Sequence, residues 1–306
     1  MAIKIIEENQ LKWINIDSVD DEALAYLREN FNFHHLDIDD IQSESQTPKI
    51  DIYKNYLFIV LQFPQWRADK QMVVDSEVDI FIGENFLITI QHNKVRELKN
   101  FFYKCLKNKN TKRKWMSHDS GFLLYKLIDS LFHECRPLLN NMGRQIAKIE
   151  NEIFDGTSDP AIVKRLAVLR RNVLNFRRII DPQRYLMSNL SHTRKPFLNE
   201  DTSLYFDDIN DYLSKLWAIL ERYKDTINGL HVTVESLINQ KTNQVISALT
   251  VISVSLLPLT LLSGIYGMNI DGLPFAHSPF FVWAMFVALA LIIIMLIIIM
   301  RKRKYL

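Results

Sequence analysis

The side chains with the most suggestive chemistry in this 306-residue sequence are neutral ones. Gly267, Met268 and Asn269 follow directly on Val245 to Tyr266, a run of 22 residues without a charged side chain. A glycine there can end a helix and let backbone come close to a symmetry axis. Asn269 adds a neutral amide oxygen. Such an oxygen cannot strip water from a small dication, but it can accept hydrogen bonds from the ion's water shell. Mg²⁺ dehydrates reluctantly, so a ring of these oxygens would recognise the hydrated ion. The same Gly-x-Asn sequence also serves as a plain C-capping turn.

Behind this motif runs a seam. Asn243, Ile246, Thr250, Ser253, Leu257, Thr260, Gly264 and Gly267 recur at alternating steps of three and four, a heptad pattern. Small and polar residues dominate it, with Ile246 and Leu257 as apolar members. In one helix the seam suits close packing, with hydroxyls bonding back to the backbone. In several copies around an axis it would form the wall of a narrow pore, with the apolar members as constrictions.

Little else points to chemistry. There is no glycine-rich phosphate loop, no GxSxG and no HExxH, so an enzyme is not expected. His133, Glu134 and Cys135 are metal-ligand types, but consecutive residues do not share a helix face. His34-His35 reads as a surface or core pair. Cys105 and Cys135 form no CxxC motif, which fits a reducing compartment. The first residues carry no basic segment followed by a long apolar run, so no signal peptide is expected. With 37 basic and 35 acidic groups the chain lacks the basic footprint of nucleic-acid binders. The Asn189-Leu190-Ser191 glycosylation sequon would be inert in the cytosol.

A mean hydropathy of -0.04 hides a split. Between Val245 and Met300 the one charged residue is Asp271, and residues 301–306 carry four basic groups. Two apolar runs, Val245 to Tyr266 and Phe280 to Met300, are each long enough to span a bilayer, which takes about 20 helical residues. The second is apolar throughout and suited to lipid. Lys241 precedes the first run, Arg301 to Lys304 follow the second, and the link between them has no Lys or Arg. The positive-inside rule then puts both termini in the cytoplasm of a multi-pass inner-membrane protein. Two spans cannot enclose a channel, so transport would require an oligomer.

The fold class expected is an α+β cytosolic domain followed by long α-helices and two transmembrane helices. Residues 1–116 form the α/β domain, with strands at Leu11–Ile16, Tyr56–Phe63, Val78–Ile82 and Phe86–Gln91. Asp20 or Asp21 caps a helix running to about Phe31. Asn108 to Lys114 reads as an exposed basic connection. Residues 117–202 are helical: one helix passes Phe122 and Leu138 with Pro137 as a kink, and another starts at Ser158-Asp159-Pro160 and ends near Ile180, before Asp181-Pro182. Residues 203–266 are predicted as one continuous helix, about 95 Å long, whose last part is the first span. Residues 267–279 form an external loop, 280–300 the second span and 301–306 a cytosolic tail.

The Tyr266-Gly267-Met268-Asn269 motif before a short loop, a last apolar span and a basic terminus resembles the CorA magnesium transporter family. The resemblance extends over Lys241-Thr242-Asn243, Leu257-Pro258-Leu259-Thr260, Gly264-Ile265-Tyr266, Tyr205-Phe206-Asp207-Asp208 and Pro48-Lys49 with the strands after it, nearly the whole chain. It implies a homopentamer with a funnel-shaped cytosolic domain, its first span lining the pore and its second outside. By match to the family pattern, Asn243 is a polar ring at the cytosolic mouth, Leu257 replaces a frequent methionine in an apolar constriction, and Asn269 is the entrance ring. Asp271 resembles a loop acid that attracts cations. Asp39 and Asp40 match an acidic pair, and Asp208 its partner, at regulatory Mg²⁺ sites between cytosolic domains; without the resemblance such acids would read as solvated charge. Val232 departs from the pattern where some members carry an acid. The function implied is a channel for hydrated Mg²⁺, with Co²⁺ and Ni²⁺ as further cargo. A Zn²⁺ transporter of the same superfamily is the competing expectation, against which Met268 argues. A membrane-anchored coiled-coil scaffold is the alternative of another class, and it has no need of the seam or the Gly-Met-Asn exit.

Overall fold

The structure is a computed structural model that describes residues 3–43, 46–92, 95–155, 161–269 and 278–302. It forms two compact units, Met1–Leu230 and His231–Leu306.

The first unit is built on a six-stranded sheet of order β1-β2-β6-β5-β4-β3. The strands are β1 (Ile3–Glu8), β2 (Leu11–Ile16), β3 (Lys49–Ile52), β4 (Tyr56–Arg67), β5 (Met72–Gly83) and β6 (Phe86–Gln91). Asn9 and Gln71 take left-handed backbone, with φ of 53° and 51°, in the β1–β2 and β4–β5 turns, as tight hairpins demand. Among the described residues only β2 and β6 pair in parallel; the other pairs are antiparallel. Strict alternation gives the sheet two apolar faces. Ile14, Ile16, Phe58, Val60, Phe81, Ile88 and Ile90 pack against α1 (Asp21–Asn30) and α2 (His35–Asp40), through Ala23, Leu27, Ile38 and Ile41. The opposite face meets the helices that follow. Trp13 makes edge contacts with Phe101 and Phe102 of α3 (Arg96–Lys107), and Phe63 lies 4.7 Å from Phe132 of α5 (Ser120–His133), ring centre to ring centre.

Several elements depart from the sequence expectation, each for a local reason. Strands β4 and β5 run longer than predicted and join as one hairpin. Pro64 is tolerated because β3 stops pairing at Val60, so the proline has no neighbour on that side. The basic stretch after Asn108 is a helix, α4 (Lys109–Met116), and not a connection. The Asn108 side chain caps it by accepting from the amides of Asn110 and Thr111, Trp115 stacks on Phe101 and Met116 is buried. Pro137 does not kink a continuous helix: α5 stops at His133, and α6 (Arg136–Phe154) begins with the proline in its first turn, where its missing N–H costs nothing. Conversely, α7 (Ala161–His192) runs through Pro182. A proline inside a helix costs about 3 kcal/mol; burial of Leu186, Met187 and Leu190 beyond it offsets that cost at about 1.5–3 kcal/mol per side chain. The expected start of this helix, Ser158 to Pro160, lies outside the described residues.

The second unit contains the end of α8 (Glu200–Tyr266) and α9 (Pro279–Lys302). Among the described residues α8 is the one helix long and apolar enough to cross a membrane, and Phe280–Met295 of α9 is a shorter apolar stretch. That α8 begins at Glu200 and is unbroken to Tyr266 agrees with the expected continuous helix. Its start is fixed by Asn199, whose side chain accepts from the Thr202 amide and hydroxyl.

Buried Asn172 ties α7 to the β4–β5 hairpin: it accepts from the Val73 amide at 3.1 Å and donates to the Gln71 carbonyl at 3.4 Å. Replacing it by alanine orphans the Val73 N–H, which costs about 1–3 kcal/mol. Chemical denaturation of Asn172→Ala should show a loss in that range with an unchanged slope.

Candidate functional site

Leu, Ile and Val carry α8 through its uncharged C-terminal part, and Pro258 is the one strong helix breaker there. Proline has no N–H, so the Val254 carbonyl loses its usual helical donor. The hydroxyls behave as intrahelical donors. Thr250 Oγ1 donates to the Ile246 carbonyl at 2.8 Å, Thr260 Oγ1 to Leu256 at 2.9 Å and Ser263 Oγ to Thr260 at 3.0 Å. A hydroxyl that spends its proton on its own helix presents lone pairs outward. The two readings of these hydroxyls therefore do not compete. Back-bonded Thr250 and Thr260 line a face with acceptors.

The seam is the open side of this part of α8. Asn243, Thr250, Ser253, Thr260, Gly264 and Gly267 are exposed, as are Ile246 and Leu257 at 55% and 65%. Leu249, Ile252 and Leu256 flank them and are exposed too. The shielded residues are Ser247, Ala248, Val251, Ser255, Pro258, Leu259, Leu262 and Tyr266, which lie on the other side of the helix at about 100° per residue. On α9, Val282, Met285, Phe286, Leu289, Ala290 and Ile293 form one half-buried stripe. A side chain at Gly264 would meet nothing within 4 Å.

The helix closes at the motif. Gly267 N–H donates to the Ser263 carbonyl at 2.9 Å, and Met268 N–H to Ile265 at 3.2 Å. A Cβ on Gly267 would stand 2.9 Å from the Ser263 oxygen, a backbone atom that cannot yield, so glycine is required at this cap. Met268 and Asn269 follow, both exposed. Asp271 lies outside the described residues. Val232 is 64% exposed on α8.

The three acids expected at a regulatory site are all in the first unit. Buried Ile38 and Ile41 seat the short α2 on the sheet, which leaves Asp39 exposed and Asp40 half-buried. Asp208 is exposed on α8 between buried Phe206 and Ile209. Among the described residues no hydrogen bond or ion pair joins Asp208 to Asp39 or Asp40 within the chain. Asp40 instead meets Lys49 Nζ at 2.5 Å, and Asp51 meets the same ammonium at 2.6 Å. Asp37, buried beneath, accepts from the hydroxyls of Tyr53 at 2.8 Å and Tyr56 at 2.7 Å. Carboxylate oxygens of Asp37, Asp40 and Asp51 lie within 4.8 Å of one another. Burial pulls the Lys49 ammonium down, but hydrogen bonds to Asp40 and Asp51 outweigh it and hold the group protonated well above its ordinary range. Burial pushes the Asp37 carboxyl up. An internal cation thus occupies the centre of this cluster. Sequence reasoning named Asp40 but missed Lys49, Asp37 and Asp51. The available signal was the Lys49/Asp51 alternation, which puts both on one face of β3.

The remaining candidates stay apart. His133 pairs with Asp129 and stacks on Tyr212, while Cys135 is buried. The His34 and His35 rings lie 4.4 Å apart, and His34 caps α2.

Comparison with known proteins places this geometry. A cobalt/magnesium transport protein of Thermotoga maritima is 29% identical over 269 residues, 86% of this chain and 74% of that protein. A zinc transport protein of Yersinia pseudotuberculosis is 21% identical over 86% of this chain and 78% of its own length. In fold, the chain is similar to the CorA magnesium transporter structure from Methanocaldococcus jannaschii, with a TM-score of 0.83, 22% identity and coverage of 98% and 93% of the two chains. The family model described as "CorA-like Mg2+ transporter protein" matches residues 8–302. With the open seam, its Gly-Met-Asn end and a match over nearly its whole length, the chain belongs to this family of membrane-integral divalent metal ion transporters, which are not enzymes.

Proposed function

We propose that this protein is a passive channel for hydrated Mg²⁺, assembled as a homopentamer with the α8 seam facing the axis. The observation that carries the reading is the exposed seam of small and back-bonded hydroxyl residues ending at Asn269. Around an axis, outward lone pairs of Thr250 and Thr260 would accept from the ion's water shell without displacing it. Ile246 and Leu257 would then be the constrictions, Asn243 the ring at the cytosolic mouth and Gly267, Met268, Asn269 and Asp271 the entrance. α9 would be the second span, facing lipid, with both termini cytoplasmic. The membrane potential drives entry, at about 4.6 kcal/mol per dication per 100 mV, twice the single-charge value. Val232 offers no carboxylate ring to the inner path.

Cargo is the open choice within the family. The Thermotoga relative is named for cobalt and magnesium and the Yersinia relative for zinc. The higher identity to the former and the Gly-Met-Asn motif favour Mg²⁺, with Co²⁺ carried as well. Uptake into liposomes under competing Mg²⁺ and Zn²⁺, with and without a proton gradient, separates the two.

For regulation, Asp40 and Asp208, assisted by Asp39, hold Mg²⁺ between neighbouring subunits. The exposure of Asp39 and Asp208 supports this, and the ion must compete with Lys49 for Asp40. A dication bound there removes carboxylate repulsion and stabilises a closed assembly. α8 contains both Asp208 and the seam and so links sensor to pore.

Asn269→Ala removes one acceptor per subunit, each hydrogen bond being worth about 1 kcal/mol. Mg²⁺ uptake should therefore drop about tenfold or more while assembly persists; wild-type flux from an assembled variant would end the claim.

Cysteines placed at Asn243, Thr250, Ser253 or Thr260 should react with small aqueous thiol reagents in liposomes, and cysteines at Val251 should not. The natural thiols leave the background silent, because burial pushes Cys105 up to about 11 and Cys135 higher still. Modification at Val251 in place of the seam would mean a different helix rotation.

Asp208→Ala should lose Mg²⁺-dependent protection from protease, and its flux should persist at high internal Mg²⁺. If protection and shut-off both match wild type, the sensor lies elsewhere.

A further inference from the structure

A second cluster of ionisable groups sits inside the first unit and has no part in the proposed pore or in the acids around Lys49. Glu77 and Asp79 are two residues apart on β5, so they share a face of the sheet. The register pairs Val78 with Gln91, which sets His92, the residue after β6, opposite Glu77. This is the face that carries Phe81, Val60 and Ile90. Asp79 is 0% exposed and Glu77 3%. Two carboxylates in an apolar sheet face cost several kcal/mol each unless fully compensated.

Their partners fall short. Glu77 Oε2 accepts from the Gln46 amide at 2.6 Å. Asp79 Oδ2 lies 2.7 Å from His92 Nε2, and Glu77 Oε1 lies 3.6 Å from the same nitrogen. Asp79 Oδ1 and Glu77 Oε1 are buried with no hydrogen-bond partner among the described residues. Burial, with the Asp79 charge adding to it, pushes the Glu77 carboxyl up to about 7, and burial also raises Asp79. One ligand atom from each of Glu77, Asp79 and His92 lies within 4.8 Å of the others.

We propose that Glu77, Asp79 and His92 form a binding site for a divalent transition-metal ion of the Zn²⁺ or Co²⁺ class. Charge supports it: two carboxylates and a neutral imidazole balance a dication, which a single shared imidazole proton does not. Geometry supports it as well. Ligands of a tetrahedral ion at about 2.0–2.1 Å stand about 3.3 Å apart, between the 2.7 and 3.6 Å already present around His92 Nε2. The Gln46 amide fixes Oε2 of Glu77 and leaves Oε1, the orphan, for the ion, an outer contact of the kind that orients metal ligands. The chemistry also selects against Mg²⁺, the main cargo proposed above. Mg²⁺ wants six oxygens and keeps several waters, for which a buried sheet face has no room; an imidazole nitrogen favours Zn²⁺, Co²⁺ or Ni²⁺. Because Gln46 lies between α2 and β3, occupancy braces the segment that presents Asp39, Asp40 and Lys49.

The test uses the full chain, purified in detergent, stripped with a chelator and titrated with Co²⁺ in excess Mg²⁺ to block oxygen-only sites. The expected result is one Co²⁺ per chain, with the strong visible absorption of a low-symmetry site containing nitrogen, displaced by Zn²⁺ and not by more Mg²⁺. The absorption should vanish in His92→Ala. Affinity should fall at least about tenfold in Glu77→Gln and Asp79→Asn, which keep shape and remove charge. Circular dichroism and thermal melts establish that each variant is folded. If His92→Ala unfolds, the two isosteric variants decide. Absence of Mg²⁺-resistant Co²⁺ binding in the wild type overturns the proposal, and so does wild-type Co²⁺ affinity in folded Glu77→Gln and Asp79→Asn. Neither result bears on the pore, because the readout is absorption by bound metal and not flux.

Discussion

A helix that crosses hydrocarbon must satisfy every polar group from within itself, because no water is at hand to accept or donate. The uncharged C-terminal part of α8 is organised by that constraint. Apart from the Val254 carbonyl opposite Pro258 its backbone can bond within the helix, and the hydroxyl protons of Thr250, Thr260 and Ser263 are turned onto preceding carbonyls. What is left facing outward is a line of oxygen lone pairs with no formal charge. Such a surface is poor at binding a bare dication and good at receiving the hydrogen-bond donors of its water shell only through their protons. In the channel proposed here, recognition of a hydrated ion and stability of the helix would come from the same orientation of the same hydroxyls. Gly267 completes the arrangement, since no residue with a Cβ could end the helix against the Ser263 carbonyl without moving it.

The first unit handles charge in the opposite manner, by burying it. Its sheet has two apolar faces, yet acids are set into the face that meets α1 and α2. Asp37 is compensated by two tyrosine hydroxyls, and Asp40 and Asp51 by the Lys49 ammonium. Lys49 acts as a tethered cation in an acidic cluster, so an ion from solution gains only the difference between itself and that ammonium. Among the described residues Glu77 and Asp79 have no equivalent: one imidazole serves two carboxylates, and an oxygen of each is left over. Three ways of meeting an acid thus occur on α2 and the sheet face it covers, and the least complete of them is the one with metal-ligand chemistry.

The sequence by itself determined what depends on local composition and period. The unbroken α8, the bounds of β2 and β6 and the absence of enzyme motifs follow from spacing and from the lack of charge, because neighbouring residues on one element decide them. Proline positions were misjudged in both directions. Pro182 sits inside α7 because distant core contacts outweigh the lost hydrogen bond, and Pro137 opens α6 because α5 had already ended. Lys49 with Asp40, and Glu77 and Asp79 with His92, were invisible for a different reason. Lys49 on β3 meets Asp40 only because Ile38 and Ile41 seat α2 on the sheet, and only the register of β5 on β6 sets His92 opposite Glu77. Burial then changes their meaning: the same acids on a solvated loop would be ordinary surface charge, while inside a sheet face each must find a counter-charge or a donor.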